Sequence, residues 1–433
     1  EWISDKARYA IDGLRRQRLD KPYLRGEDGR LHPVSWDDAF AAIAGRMKKT
    51  KADKMAAIAG DQIDAEAMFA LKSLFEKVGS PHIDCRQDGA KLTAKNRSSY
   101  IVNTTIAGID EADAIVIIGS NPRIEAPVMN ARIRRRYLNA QIPIAHIGPE
   151  LDLTYPVENL GDDMAVLEAL ASGKHPFAKQ LKKAKKPMVI VGMGALRRAD
   201  GSAVMALCHQ LAEGVGMVTA DWNGFNVLHH AAARVAGLDL GFVPGKGGKD
   251  VQGILSAATK GEMDFVWLLG ADELDTDMLA KPFVVYQGHH GDKGAQCADV
   301  VLPGAAWAEK DGLYVNFEGR VQMARRAAFP PGDAREDWAI LRAFSETINK
   351  TLSFDSLNEL RKQMVAEVPV FAKLDEIQPA KWAKFGRTAK VKSEPVEAGL
   401  DEFYMTSAIS RASETMAECY QANQAGKSAI AAE

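Results

Sequence analysis

The sequence predicts an α/β protein built from two doubly wound, mostly parallel-sheet lobes with a helical C-terminal extension. Three observations predict it. Short apolar runs alternate with segments of helical apolar spacing, nearly every run ends in glycine, and two strand–loop units look alike. Continuous β-branched runs without polar alternation mark strands buried on both faces, which are parallel and covered by helices.

The runs are Met55-Ala56-Ala57-Ile58-Ala59, Ala114-Ile115-Val116-Ile117-Ile118, Ile142 to Ile147, Met188 to Val191, Phe265-Val266-Trp267-Leu268-Leu269, Phe283 to Tyr286 and Val300-Val301-Leu302. Gly60, Gly119, Gly148, Gly192, Gly270, Gly288 and Gly304 follow them. Glycine at a strand end lets the chain turn sharply and leaves room for a ligand or a packed helix. Residues 64–74 and 162–171 carry helical spacing. The stretch from Ala114 to Pro122 parallels that from Phe265 to Glu273, which predicts two related lobes. Pro244-Gly245-Lys246-Gly247-Gly248-Lys249 reads as the crossing between them. After Ser345 helical segments lead to a Lys-rich polar stretch, 381–395. A last helix is expected over 403–422, with Met405, Ile409, Ala412, Met416 and Cys419 on one stripe, and a frayed tail over 424–433.

A chain of 433 residues exceeds one compact core, so two or three domains are expected. Apolar content of 46% and charged content of 26% are ordinary for a globular protein. A net charge of −2 excludes a nucleic-acid partner held by a basic excess. No apolar run is long enough to span a bilayer, so direct membrane insertion is not expected. The opening Glu1-Trp2-Ile3-Ser4-Asp5 lacks the basic-then-apolar pattern of a secretory leader and lacks Met, which predicts a fragment or processed chain. Cys85, Cys208, Cys297 and Cys419 are scattered with no Cys-x-x-Cys pair, unlike iron–sulfur or zinc sites, and fit a reducing compartment.

Several constellations have two readings. Gly119-Ser120-Asn121-Pro122, with Arg123 beside it, either cradles an anion at a helix start or forms a plain tight turn. Gly192-Met193-Gly194 holds only part of a dinucleotide fingerprint, with Arg197 at the third glycine position. His289, His290 and Asp292 at a strand end are candidate metal ligands, although adjacent loop residues diverge and no further ligand is evident; the alternative is imidazoles bonded to backbone. His229-His230 reads as part of a helical stretch. Cys208 and His209, neighbours on a helix, point about 100° apart and do not form a dyad. Glu309, Asp311 and Glu318 are candidate paired acids, expected instead to be solvated on a loop.

Arg18-Leu19, Pro22, Arg25, Trp36-Asp37-Asp38-Ala39, Gly119-Ser120-Asn121-Pro122 and the stretch from Ala298 to Arg320 together resemble the molybdopterin-dependent oxidoreductase superfamily. Glu1 to Lys6, Asn103 to Gly108, Gln287 to Asp292, Phe403 to Thr406 and Ile409 to Ser413 resemble one branch of it. That branch is the large iron–sulfur subunit of the peripheral arm of respiratory complex I, NADH:quinone oxidoreductase. The resemblance implies a lead-in over residues 1–30, a discontinuous lobe over 31–85 with 245–345, an inserted lobe over 86–244 and a mainly helical extension over 346–433. It implies one 2Fe-2S and two 4Fe-4S clusters in an N-terminal part preceding this sequence, and no cofactor in this segment. It implies partners among the hydrophilic complex I subunits, including the flavin-bearing NADH-binding unit. The implied place is the peripheral arm, on the cytoplasmic face of a bacterial inner membrane or the matrix face of the mitochondrial one.

Departures from the catalytic pattern predict that molybdopterin is not bound and that this segment is a non-catalytic scaffold. Only Cys85 is a candidate molybdenum ligand; it stands too early, and Ala90 lies nearer the expected position. Where relatives hold the nucleotide with Asp-Pro-Arg, this sequence has Gly148-Pro149-Glu150, whose charge repels an anionic dinucleotide. The other reading is an active molybdopterin-dependent oxidoreductase subunit.

Overall fold

The computed structural model describes residues 3–430. Glu1 and Trp2 of the lead-in, and 431–433 of the tail, lie outside the described residues.

The strands are β1 (Tyr23–Arg25), β2 (Leu31–Pro33), β3 (Met55–Ala59), β4 (His82–Asp84), β5 (Ala114–Ile118), β6 (Ile144–Ile147), β7 (Glu158–Asn159), β8 (Pro187–Val191), β9 (Phe225–Val227), β10 (Phe265–Leu269), β11 (Phe283–Gly288), β12 (Val300–Pro303), β13 (Gly312–Val315) and β14 (Val321–Ala324). Among the described residues they form a seven-stranded sheet, β2-β1-β12-β11-β10-β3-β4, a five-stranded sheet, β7-β6-β5-β8-β9, and the antiparallel pair β13-β14. The larger sheet is parallel from β12 to β4, with β1 and β2 added antiparallel at one edge. The smaller is parallel throughout.

Alternate residues of each strand enter different cores. From β10, Phe265, Trp267 and Leu269 join one apolar cluster, and Val266 and Leu268 another on the opposite face. From β5, Ala114, Val116 and Ile118 join that same first cluster, and Ile115 and Ile117 a third. The inner faces of both sheets thus share one continuous core, which ties the two halves together. Burying a Val, Leu or Ile side chain contributes about 1.5–3 kcal/mol. The helices start and stop on local signals. Asp64 caps Ala65–Val78 by accepting the Ala67 amide, and Gly79 ends that helix at a φ of 90°.

The extension departs from expectation in three places. Residues 373–407 contain no α-helix or strand. This stretch runs over the smaller sheet's half, where Trp382 stacks on His209 with ring centroids 5.1 Å apart and Phe385 packs on Phe225. The single helix expected over 403–422 is two helices, Ala408–Ala412 and Glu414–Ile430. Ser407 caps the first, and Ser413 breaks the run by extending its backbone and giving its hydroxyl to Asp12 at 2.5 Å. The tail expected to fray from 424 continues as helix to Ile430.

Residues 6–16 meet residues 406–414 of the extension. Gly13 packs so tightly on the carbonyl of Ile409 that a Cβ would lie 2.0 Å from that oxygen, Arg16 pairs with Glu414, and the Lys6 amine donates to Thr406.

Gly60, at the end of β3, lies against the carbonyl of Gly270 at the end of β10, and an added Cβ would stand 1.7 Å from that oxygen. Only backbone movement relieves such a clash. Gly60→Ala is therefore expected to destabilise the chain by about 1–3 kcal/mol, read as a lower urea midpoint at unchanged slope; an unchanged midpoint would show that the strand ends are not packed this way.

Candidate functional site

In the parallel part of each sheet the strand order reverses once, between β3 and β10 in the larger and between β5 and β8 in the smaller. Ligands of open α/β sheets sit outside the carboxyl ends of strands at such points. A cleft of about 850 Å³ spans both. Asp61 follows β3, Glu273 follows β10, Glu125 follows β5 and Arg197 follows β8, and all four line it.

The larger sheet contributes a buried ion network. Arg234 is 1% exposed, donates to Asp88 at 2.9 Å and lies 4.0 Å from Asp61. Burial pushes the Asp61 carboxyl up to about 6, although Arg234 opposes the rise. At Asp88 burial pushes the same way, but Arg234 and His230 outweigh it and hold the group down at about 2. Glu273 accepts from Arg411 at 2.7 Å and from Gln87 at 2.9 Å, and Arg411 also donates to Asp292 at 2.6 Å. Arg411 belongs to the helix Ala408–Ala412, so these contacts fasten the extension across the strand ends.

The smaller sheet's loop is filled by the chain itself. The Glu125 carboxylate accepts from the Asn121 amide at 2.7 Å, the Ser120 hydroxyl at 3.1 Å and the Gly399 amide at 3.0 Å. The position where Gly119-Ser120-Asn121-Pro122 would cradle an anion thus holds an internal carboxylate. Arg123, expected beside it, donates instead to Asp152 at 2.6 Å. The extension closes the rest. Arg198 donates to the carbonyls of Lys392, Glu394 and Pro395, Arg197 to that of Ala398, and a Cβ on Gly194 would lie 1.9 Å from the oxygen of Glu397. The partial fingerprint Gly192-Met193-Gly194 is therefore a packing surface for residues 392–400.

The remaining sequence candidates are dispersed. His289 and His290 hydrogen-bond each other through Nδ1 at 2.5 Å, His290 Nε2 meets the Gly13 carbonyl at 2.8 Å, and Asp292 is held by Arg411. Burial pushes both imidazoles down, so they are neutral. His229 and His230, read from sequence as helical, lie in the loop between β9 and the helix Arg234–Asp239. His229 bonds the Tyr100 carbonyl at 2.6 Å, and burial takes its pKa down to about 3. Glu309 and Glu318, expected to be solvated, are 6% and 7% exposed. Glu309 takes both guanidinium arms of Arg18, at 2.5 and 2.6 Å, and Glu318 accepts the Ile106 amide at 2.6 Å. Asp311 accepts the Arg326 amide at 2.9 Å. Between them Lys310 is buried against Asp64 at 2.6 Å and Asp337 at 2.5 Å. These acids pin loops rather than face a common reactant.

The sequence reading passed over Asp61, Gln87, Asp88 and Arg234. The signal available was position, since Asp61 stands just past a strand-end glycine and Gln87-Asp88 just past β4.

Residues 18–347 match the family model described as molybdopterin oxidoreductase. The chain belongs to the molybdopterin oxidoreductase family. Within this family its extension, residues 376–419, matches a second pattern, the C-terminal part of the NADH-ubiquinone oxidoreductase G subunit. The chain is 42% identical over 424 residues to the G subunit of NADH-quinone oxidoreductase from Rickettsia bellii, covering 98% of this chain and 60% of the relative. It is 44% identical over 423 residues to the mitochondrial NADH dehydrogenase [ubiquinone] iron-sulfur protein 1 of Solanum tuberosum, covering 97% and 56%. The chain thus spans about three fifths of the length of these relatives. Two solved structures share the fold: the formyltransferase/hydrolase complex of Methylorubrum extorquens (TM-score 0.56, 17% identity, 76% of this chain and 99% of that one) and the acetylene hydratase of Pelobacter acetylenicus (0.53, 13%, 78% and 62%).

The residues do not fit the group for which this family is named. Cys85 is packed under Gly237, where an added Cβ would stand 2.6 Å from Sγ, and burial pushes its thiol up to about 12, so it offers no thiolate. Ala90 carries no donor atom. The smaller sheet's anion position is taken by Glu125, and the cleft floor presents the carboxylates of Asp61 and Asp88 to any anionic dinucleotide.

Asp272 joins the larger sheet's strand ends, accepting from Tyr286 at 2.8 Å and the Gly294 amide at 2.9 Å. Burial, then repulsion from Glu273, pushes it up to about 7. A raised acid stabilises the fold below its unfolded pKa and loses that contribution as pH rises through the folded value. Asp272→Asn should therefore gain melting temperature relative to the parent between pH 4 and pH 8, measured by thermal unfolding. A constant difference across that window would contradict the assignment.

Proposed function

We propose that this chain is the non-catalytic scaffold part of the iron–sulfur subunit of NADH:quinone oxidoreductase, complex I. The observation that carries the reading is similarity over 98% of the chain to the G subunit of a bacterial NADH-quinone oxidoreductase, continued into an extension that matches the C-terminal pattern of the same subunit. That extension fastens both halves and fills the family's ligand position, which supports a supporting role over a catalytic one.

In this reading the clusters, one 2Fe-2S and two 4Fe-4S, belong to the further length of the relatives. The partners are the hydrophilic subunits, including the flavin-bearing NADH-binding unit. The described helices include none long and apolar enough to cross a membrane; in this reading the chain's place is the peripheral arm, at the cytoplasmic or matrix face. Membership of the two sheets supports a discontinuous lobe, 31–85 with 245–345, and an inserted lobe, 86–244; in this reading the lead-in over 1–30 lends β1 to the larger sheet and 346–433 is the extension. His289, His290 and Asp292 act as structural groups, and no residue of this segment is catalytic.

Elemental and pterin analysis of the purified complex tests the reading. No molybdenum or tungsten stoichiometric with this chain, and no pterin fluorescence after oxidative extraction, is the expected result. Either in equimolar amount would overturn the scaffold reading in favour of an active molybdopterin enzyme.

A further inference from the structure

We infer that the inter-lobe cleft is a binding site for a small organic cation rich in N–H groups, an amidine, guanidine or primary amine on an apolar body, received by Asp61, Gln87 and Asp88. The inference goes beyond the assignment to complex I and does not rest on it.

Gln87 lines the cleft and is 2% exposed. Its amide nitrogen donates to Glu273, and because a carboxylate only accepts, this contact fixes which end of the amide is oxygen. That oxygen, Gln87 Oε1, is buried with no hydrogen-bond partner. Asp61 Oδ1 and Asp88 Oδ2, on the same floor, also lack a hydrogen-bond partner, with Arg234 4.0 Å from the first and His230 3.9 Å from the second. Buried acceptors in native proteins are nearly always met by donors, and leaving one unmet costs about 1–3 kcal/mol. Three unmet acceptors lie together. Of the neighbouring Arg234, only Nε is uncommitted, because its arms hold Asp88 and the Met193 sulfur.

Arg8 and Lys293 stand among the wall's cations as exposed side chains, and three others are engaged. Arg411 is held by Glu273 and Asp292, Arg197 by the Ala398 carbonyl, and Lys6 by Thr406 beneath the Phe403 ring. The floor therefore selects donors. A directly bound metal ion does not suit it, since the described residues hold no group of three His, Cys, Asp or Glu side chains able to share one. A planar or tetrahedral nitrogen cation spreads its N–H groups over separated oxygens, as a metal cannot. The remainder of the cleft suits an apolar body. Ile11, Leu14 and Ile409 line it, and Trp307, 43% exposed, stands at the mouth where an aromatic face attracts cations. About 850 Å³ is ample for such a molecule.

The test is calorimetric titration of the full chain with three probes sharing one ring: benzamidine, benzamide and benzoate. Benzamidine is expected to bind saturably, about tenfold or more tighter than neutral benzamide, and benzoate not at all. Asp61→Asn and Gln87→Leu should each weaken benzamidine by about tenfold while melting stays cooperative. No saturable benzamidine binding, equal binding of benzoate, or benzamidine binding unchanged in both variants would overturn the site. Should the variants fail to fold, the order of the three probes on the parent chain decides alone. A pterin found in the complex would refute the scaffold reading without touching this order.

Discussion

Arg234 is the charge on which the strand ends depend. Its guanidinium is almost wholly out of water, so its partners must remain ionised or hydrogen-bonded. Asp88 does so, held well below the usual carboxylate range. Removing one partner of a buried pair leaves an uncompensated charge, typically at about 3–5 kcal/mol. This constraint joins three segments: the turn after β3, the turn after β4 and the start of the helix Arg234–Asp239 that follows β9. Two follow strands of the larger sheet and one follows a strand of the smaller, so a single cation ties chain leaving both sheets at the cleft.

The same charges give the strand-end switch point its character. A pocket for an anionic dinucleotide needs free amides and cations at the strand ends. Here the buried floor presents the acceptors Asp61 Oδ1, Gln87 Oε1 and Asp88 Oδ2, and the amides of Asn121 and Gly399 are taken by Glu125. Residues 392–400 lie against the turn after β8 and leave no room at Gly194. An internal carboxylate and an internal peptide thus stand where an external ligand would otherwise make the contacts.

Strands β3, β5, β6, β8, β10, β11 and β12 were legible because their signal is local, whereas β1, β2, β4, β7 and β9 are only two or three residues long and carry no apolar run to mark them. A run such as Ala114 to Ile118 buries both faces, so its apolar character needs no partner to be read, and the glycine after it marks the turn. What failed depended on distant contacts. Ser413 breaks a helical stripe only because Asp12, four hundred positions away, accepts its hydroxyl. Glu309 reads as a solvated loop acid until Arg18 is folded over it. His230 looked helical from its Ala-rich surroundings, yet it faces Asp88 in a loop. The floor of the cleft was hidden for the same reason: Asp61, Gln87 and Asp88 are unremarkable in sequence and become a site only when β3 and β4 pair.

The central claim is that the chain's own extension closes the smaller sheet's ligand position. Amide hydrogen exchange resolved over residues 392–400 tests it most directly. The account predicts that the Val396 and Gly399 amides, bonded to Asp162 and Glu125, exchange as slowly as the neighbouring strands β5 and β8. Exchange of those amides at the rate of an unstructured peptide would contradict it.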